Sequence, residues 1–150
     1  NRSDGEAYQG VGFPQRGTSP GTPPPSRPYM LRKTMDVRET PAWRKALGLA
    51  HEVCVALEGA GDLRGDSVQR LRRAALAVPS LVADAFLGTD ARDCRDRLSD
   101  AAARVGELRQ LLRSPELRRV VPGPEADALL TEAEALDLEI RSLGGRCPEA

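Results

Sequence analysis

Residues 89–115 read TDARDCRDRLSDAAARVGELRQLLRSP, and the spacing of their apolar positions decides the fold. Cys94, Leu98, Ala101, Val105, Leu108, Leu111 and Leu112 recur every three or four residues. That is the interval at which side chains return to one face of an α-helix. Gly88 breaks the chain before this segment, Thr89 reads as its cap, and Ser114-Pro115 closes it.

The same period extends in both directions. Upstream, Asp66 reads as the cap of a helix whose stripe is Val68, Leu71, Ala75, Val78, Val82 and Ala85. Pro79 lies inside that stripe, and an interior proline removes a hydrogen bond at a cost of about 3 kcal/mol unless packing absorbs the bend. The stripe keeps its phase across Pro79, so one kinked helix is expected rather than two. Further upstream, Thr40-Pro41 is a start signal: a hydroxyl cap, then a proline where its missing N–H costs nothing. Trp43, Leu47, Ala50, Cys54 and Leu57, with Ala46 and Val53, form the expected buried face of that helix, and Gly59 and Gly61 end it.

Downstream, Glu116 to Val121 reads as a short turn, and Pro122-Gly123-Pro124 resets the chain. A last helix carries Leu129, Ala133, Leu136, Ile140 and Leu143, stopped by Gly144-Gly145. Nothing alternates with period two, so no sheet is expected. Four such helices with short connections predict an all-α protein, an antiparallel up-down four-helix bundle over residues 35–145.

Residues 1–34 differ from the rest. Five glycines and six prolines interrupt a stretch almost free of aliphatic side chains, a composition that cannot offset its ordering entropy, so a disordered tail is expected. Pro23-Pro24-Pro25-Ser26-Arg27-Pro28 has polyproline character. No apolar run follows the basic residues of a secretory signal, and Met30 and Met35 are candidate natural starts. Residues 146–150 are read as a short C-terminal tail.

Composition narrows the functional classes. Lys+Arg and Asp+Glu are 22 each, so bulk positive charge does not hold this chain on nucleic acid. Aromatic residues make up 3%, leaving few platforms for stacking bases or sugars. The longest apolar-rich stretch without charge, Ala74 to Ala83, is half of the roughly 20 residues that span a membrane, so no membrane partner is expected. Cys54, Cys94 and Cys147 are odd in number and far apart, which predicts unpaired cysteines and a reducing, cytoplasmic compartment.

Three segments resemble a known family. Trp43-Arg44-Lys45-Ala46, then Arg72-Arg73-Ala74-Ala75-Leu76-Ala77-Val78-Pro79-Ser80, then Val105-Gly106-Glu107-Leu108 are similar to the bacterial four-helix-bundle proteins encoded in intervening sequences of 23S ribosomal RNA genes. Where that family reads Asn-Ile-Ala-Glu-Gly this chain has Leu81-Val82-Ala83-Asp84-Ala85, and Ala103-Arg104 replaces a Gly-Ser pair. The resemblance implies a non-enzymatic bundle that assembles with itself into a homo-pentameric ring. A related branch resembles the accessory proteins of diversity-generating retroelements, which implies RNA, DNA or a reverse transcriptase as an alternative partner.

Few residues point to chemistry. His51 is the only histidine, and His51 with Cys54 makes a two-ligand set, short of the four that a structural zinc site takes. No catalytic, cofactor-binding or metal-binding residue is expected. Asp84 and Glu107 lie beside apolar stripes, and a partly buried carboxylate keeps a charged partner. Glu107 is therefore expected to pair with Arg72 or Arg73, unless both acids face solvent. Trp43, Pro79, Asp84 and Glu107 are the expected structural residues. Residues 64–119 hold 12 arginines against 8 acids, whereas residues 120–150 hold 2 against 7. Antiparallel second and third helices would bring Arg70, Arg72 and Arg73 toward Arg109, Arg113, Arg118 and Arg119, a basic end suited to phosphates. The acidic last helix offers a rival use, a charge match between adjacent copies.

Overall fold

Thr40 caps the first long helix. Its hydroxyl donates to the Val37 carbonyl at 2.6 Å and accepts the Trp43 N–H at 3.3 Å, joining a 3-10 turn (Val37–Glu39) to the first helix. The structure, a computed structural model, describes residues 36–61, 64–88 and 90–149, so the expected N-terminal tail lies outside the described residues. Five α-helices follow: α1 (Pro41–Gly59), α2 (Asp66–Ala85), α3 (Ala91–Arg113), α4 (Pro115–Val120) and α5 (Gly123–Leu143). No strand occurs among the described residues, and none of the helices is long and apolar enough to cross a membrane.

Each long helix packs on two others: α1 on α2 and α5, α3 on α2 and α5. The ion pairs give the directions. Lys45 near the start of α1 meets Glu139 near the end of α5, and Arg70 early in α2 meets Glu107 late in α3. The shared interior is aliphatic, with Leu57, Leu71, Leu108, Leu112, Leu136 and Ile140 each under 2% exposed. Alanines at 42, 46, 50, 74, 75, 101, 126 and 133 are buried among them, and their small side chains let helix axes approach closely.

The stripes expected for α2, α3 and α5 are buried as read, and α2 runs through Pro79 without interruption. Pro79 is itself buried beside Val78 and Val82, so packing holds a helix that lacks one backbone bond. The face expected for α1 needs correction. Ala42, Ala46, Leu49, Ala50, Val53 and Leu57 are buried, whereas Leu47 is 42% exposed and Trp43 and Cys54 are only partly covered. The apolar arc of α1 is wider than one seam, and packing between α2 and α5 takes its alanine-rich part.

The helix starts also shift. Gly65, not Asp66, is the N-cap of α2, which leaves the Asp66 carboxylate in the first turn at the positive end of the helix dipole. Asp90 caps α3 by accepting the Arg92 N–H at 2.9 Å; residue 89 lies outside the described residues. Ser114 closes α3 and opens α4, donating to the Leu111 carbonyl at 2.7 Å and accepting the Leu117 N–H at 3.4 Å.

The cysteines depart furthest from expectation. Cys94, in the first turn of α3, is disulfide-bonded to Cys147, just beyond the 3-10 turn Gly144–Arg146, with Cα atoms 5.8 Å apart. Both belong to the core, so the packed body reaches Cys147 rather than ending at residue 145. Only the fold brings these two together, because 53 residues separate them. Cys54 remains a free thiol.

Two measurements check this account of the core. Leu112→Ala is expected to lower unfolding free energy by about 2–5 kcal/mol in urea titration, the cost of emptying a closed aliphatic site. Cys147→Ser, or reduction of the unmodified protein, is expected to cost about 4 kcal/mol by the loop entropy of the closed segment. Equal midpoints with and without reductant would show that the bridge contributes nothing.

Candidate functional site

The arginines define the first candidate surface, and the helices distribute them to different neighbours. Arg70 points across α2 to α3, where its guanidinium meets Glu107 at 3.3 Å; Glu107 also receives Arg104 at 3.1 Å. The expectation that Glu107 bridges α2 and α3 is right in kind, but the partner is neither Arg72 nor Arg73. At about 100° per residue, Arg72 sits some 200° around the helix from Arg70, away from α3. Glu107 is one-quarter exposed and carries two cations, so it is a half-buried clasp.

Three more of the predicted arginines turn to the acidic α5. Arg109 and Arg113 converge on Glu134 at 3.6 and 3.4 Å. Arg118 holds Asp127 at 2.8 Å and donates to the Leu112 carbonyl at 3.0 Å, covering a free acceptor at the end of α3. Spacing along a single helix does not reveal these pairs, because the carboxylates come from a different helix. Arg72, Arg73 and Arg119 make no ion pair among the described residues. The Nε atoms of Arg72 and Arg109 are buried without an acceptor. The basic end therefore divides into four arginines tied to carboxylates and three open to a partner.

Asp84 is exposed at the end of α2 and makes no ion pair among the described residues, the solvent-facing alternative for that residue. Trp43 packs against the edge of the core. His51 is exposed and Cys54 half-buried, and the described residues hold no group of three or more histidines, cysteines or carboxylates placed to hold a metal ion.

A second candidate surface was not read from the sequence. A groove of about 590 Å³ runs between the C-terminal half of α1 and the start of α5. Val55, Ala56 and Gly59 form one wall, Pro122, Ala128 and Leu129 the other, and Val120 closes one side. His51, Glu52 and Glu125 supply its polar groups. Glu52 and Glu125 make no ion pair among the described residues, in contrast to Asp127, Glu134, Asp137 and Glu139 of α5, which are all bridged. The last turn of α1 also carries no basic residue to offset the negative end of its dipole. The groove is thus apolar at its floor and negative at its rim. The signal for it is the surplus width of the α1 apolar arc: Leu47 and Val55, 42% and 52% exposed, lie outside the core seam.

No family profile and no curated protein matches this chain.

The Glu107 assignment yields a direct check. In a double-mutant cycle on unfolding free energy, Arg70→Ala and Glu107→Gln are expected to couple by up to about 1 kcal/mol, as a partly exposed pair does. Arg72→Ala and Glu107→Gln are expected to add independently.

Proposed function

We propose that this chain is an antiparallel up-down four-helix bundle that works without enzymatic chemistry, as an assembly protein associating with further copies of itself. The pentameric ring implied by the intervening-sequence resemblance is the expected form. One observation carries the reading: of the charged groups that make no ion pair among the described residues, Glu52 and Glu125 line the α1–α5 groove, whereas Arg72 and Arg73 stand next to each other on α2. Arg119 on α4 is also unbridged, as are Arg44 on α1, Asp84 on α2 and Glu132 on α5. α5 holds six carboxylates against one arginine, while α2 has no acid between Asp66 and Asp84. Opposite charges on separate faces of one molecule give each copy a surface that attracts the next. The aliphatic interior supports the same view, since side chains from all four long helices fill it.

The disulfide bears on where this occurs. The expectation of a cytoplasmic site rested on unpaired cysteines, and the Cys94–Cys147 bridge removes that ground. Structural disulfides persist in oxidising compartments, and a compartment of that kind fits the bridge.

The alternative is an accessory protein that binds RNA or DNA, with or without a reverse transcriptase. It draws on Arg72, Arg73 and Arg119, the three predicted contacts that remain free. Three phosphate contacts would give a log–log salt slope of about −2 to −3.

Light scattering combined with size-exclusion chromatography separates the two. The assembly reading expects a mass several times the 16.2 kDa of one chain, unchanged by nuclease treatment. A monomer that binds RNA with a steep salt dependence would replace it with the alternative.

A further inference from the structure

We infer that the α1–α5 groove receives the outward face of α2 from a second copy, with Leu76 as the apolar anchor and Arg72 and Arg73 meeting Glu52 and Glu125. This rests on the self-association proposed above and specifies the two surfaces that make it.

The anchor is an exposed aliphatic side chain in the middle of α2. Leu76 is 52% exposed on a helix whose other large aliphatic side chains are buried or half-buried. Arg72 and Arg73 precede it by four and three residues, so all three share one side of α2. Ser80, four residues further on, is also exposed, and no acid on α2 lies between Asp66 and Asp84 to neutralise this ridge. The result is an exposed leucine with two arginines one turn N-terminal to it, neither in an ion pair among the described residues.

The groove is its complement in both respects. Val55, Ala128 and Leu129 offer apolar surface on its two walls, while Glu52 and Glu125 make no ion pair among the described residues. Small residues, Ala56 and Gly59, line the α1 wall, so a helix can come close. Burying Leu76 against Val55 removes two half-exposed aliphatic side chains from water at once, which neither achieves within one chain. The paired charges fix register and exclude the reverse orientation.

The two surfaces belong to different helices, so the contact is heterologous. Each copy offers a ridge to one neighbour and a groove to the other, and such contacts close into rings or continue as filaments. This arrangement makes a specific demand on mutants. Reversing the ridge (Arg72→Glu with Arg73→Glu) or the groove (Glu52→Arg with Glu125→Arg) is expected to weaken association of the full chain by on the order of tenfold or more, through like-charge contact. A chain carrying all four substitutions is expected to assemble as the unmodified chain does, because both signs have changed together. The two double variants, each failing alone, are expected to associate when mixed. Helix content by circular dichroism confirms that each variant is folded, and the milder Arg73→Gln and Glu125→Gln variants give a graded loss if a reversal unfolds the chain.

Light scattering reads every outcome. If the unmodified chain is an oligomer and either double variant keeps its mass, the ridge and groove are not the interface, and self-association stands on other surfaces. A fourfold variant that stays monomeric also overturns the pairing. An unmodified chain that is a monomer overturns both this inference and the proposed function.

Discussion

The aliphatic seam of α3 is the constraint on which the molecule depends. α3 packs on both α2 and α5, and Leu108 and Leu112 have no water contact on either side. A helix that must satisfy two neighbours cannot rotate to suit one of them. Its polar residues are then fixed as well: Glu107 faces α2, Arg109 and Arg113 face α5. The cross-helix ion pairs follow from the interior packing, which sets the side of α3 from which each of these residues projects.

Most of the fold was legible for this reason. In α2, α3 and α5 the dominant apolar period coincides with the buried seam, with Leu76 and Leu138 standing outside it. α1 is different. Its arc includes Trp43, Leu47 and Val55 in addition to the alanines, and period cannot say which part is interior. That choice is made by the neighbours. The disulfide was hidden for a related reason, since two cysteines 53 residues apart look unrelated until α5 returns beside the start of α3.

The surface was legible only in part. Charge asymmetry between residues 64–119 and 120–150 was plain in the sequence, and it correctly pointed to the acidity of α5. It could not show how much of that charge cancels within the molecule. Cross-helix pairing removes Arg70, Arg109, Arg113 and Arg118 from the free positive surface, and it selects Glu52 and Glu125 as the carboxylates that remain free beside the groove. Net charge per segment is a sum over residues, whereas the field seen by a partner is a remainder after folding.

The Cys94–Cys147 bridge has a mechanical consequence. Tension applied at the two ends of the chain passes directly through the sulfur–sulfur link and bypasses everything between those residues. Stretching would peel α1 and α2 away while α3, α4 and α5 remain a closed, unloaded loop. Under load the molecule therefore behaves as two unequal parts: a releasable pair of helices and a tethered knot of three that lengthens only after a reductant cuts the tie.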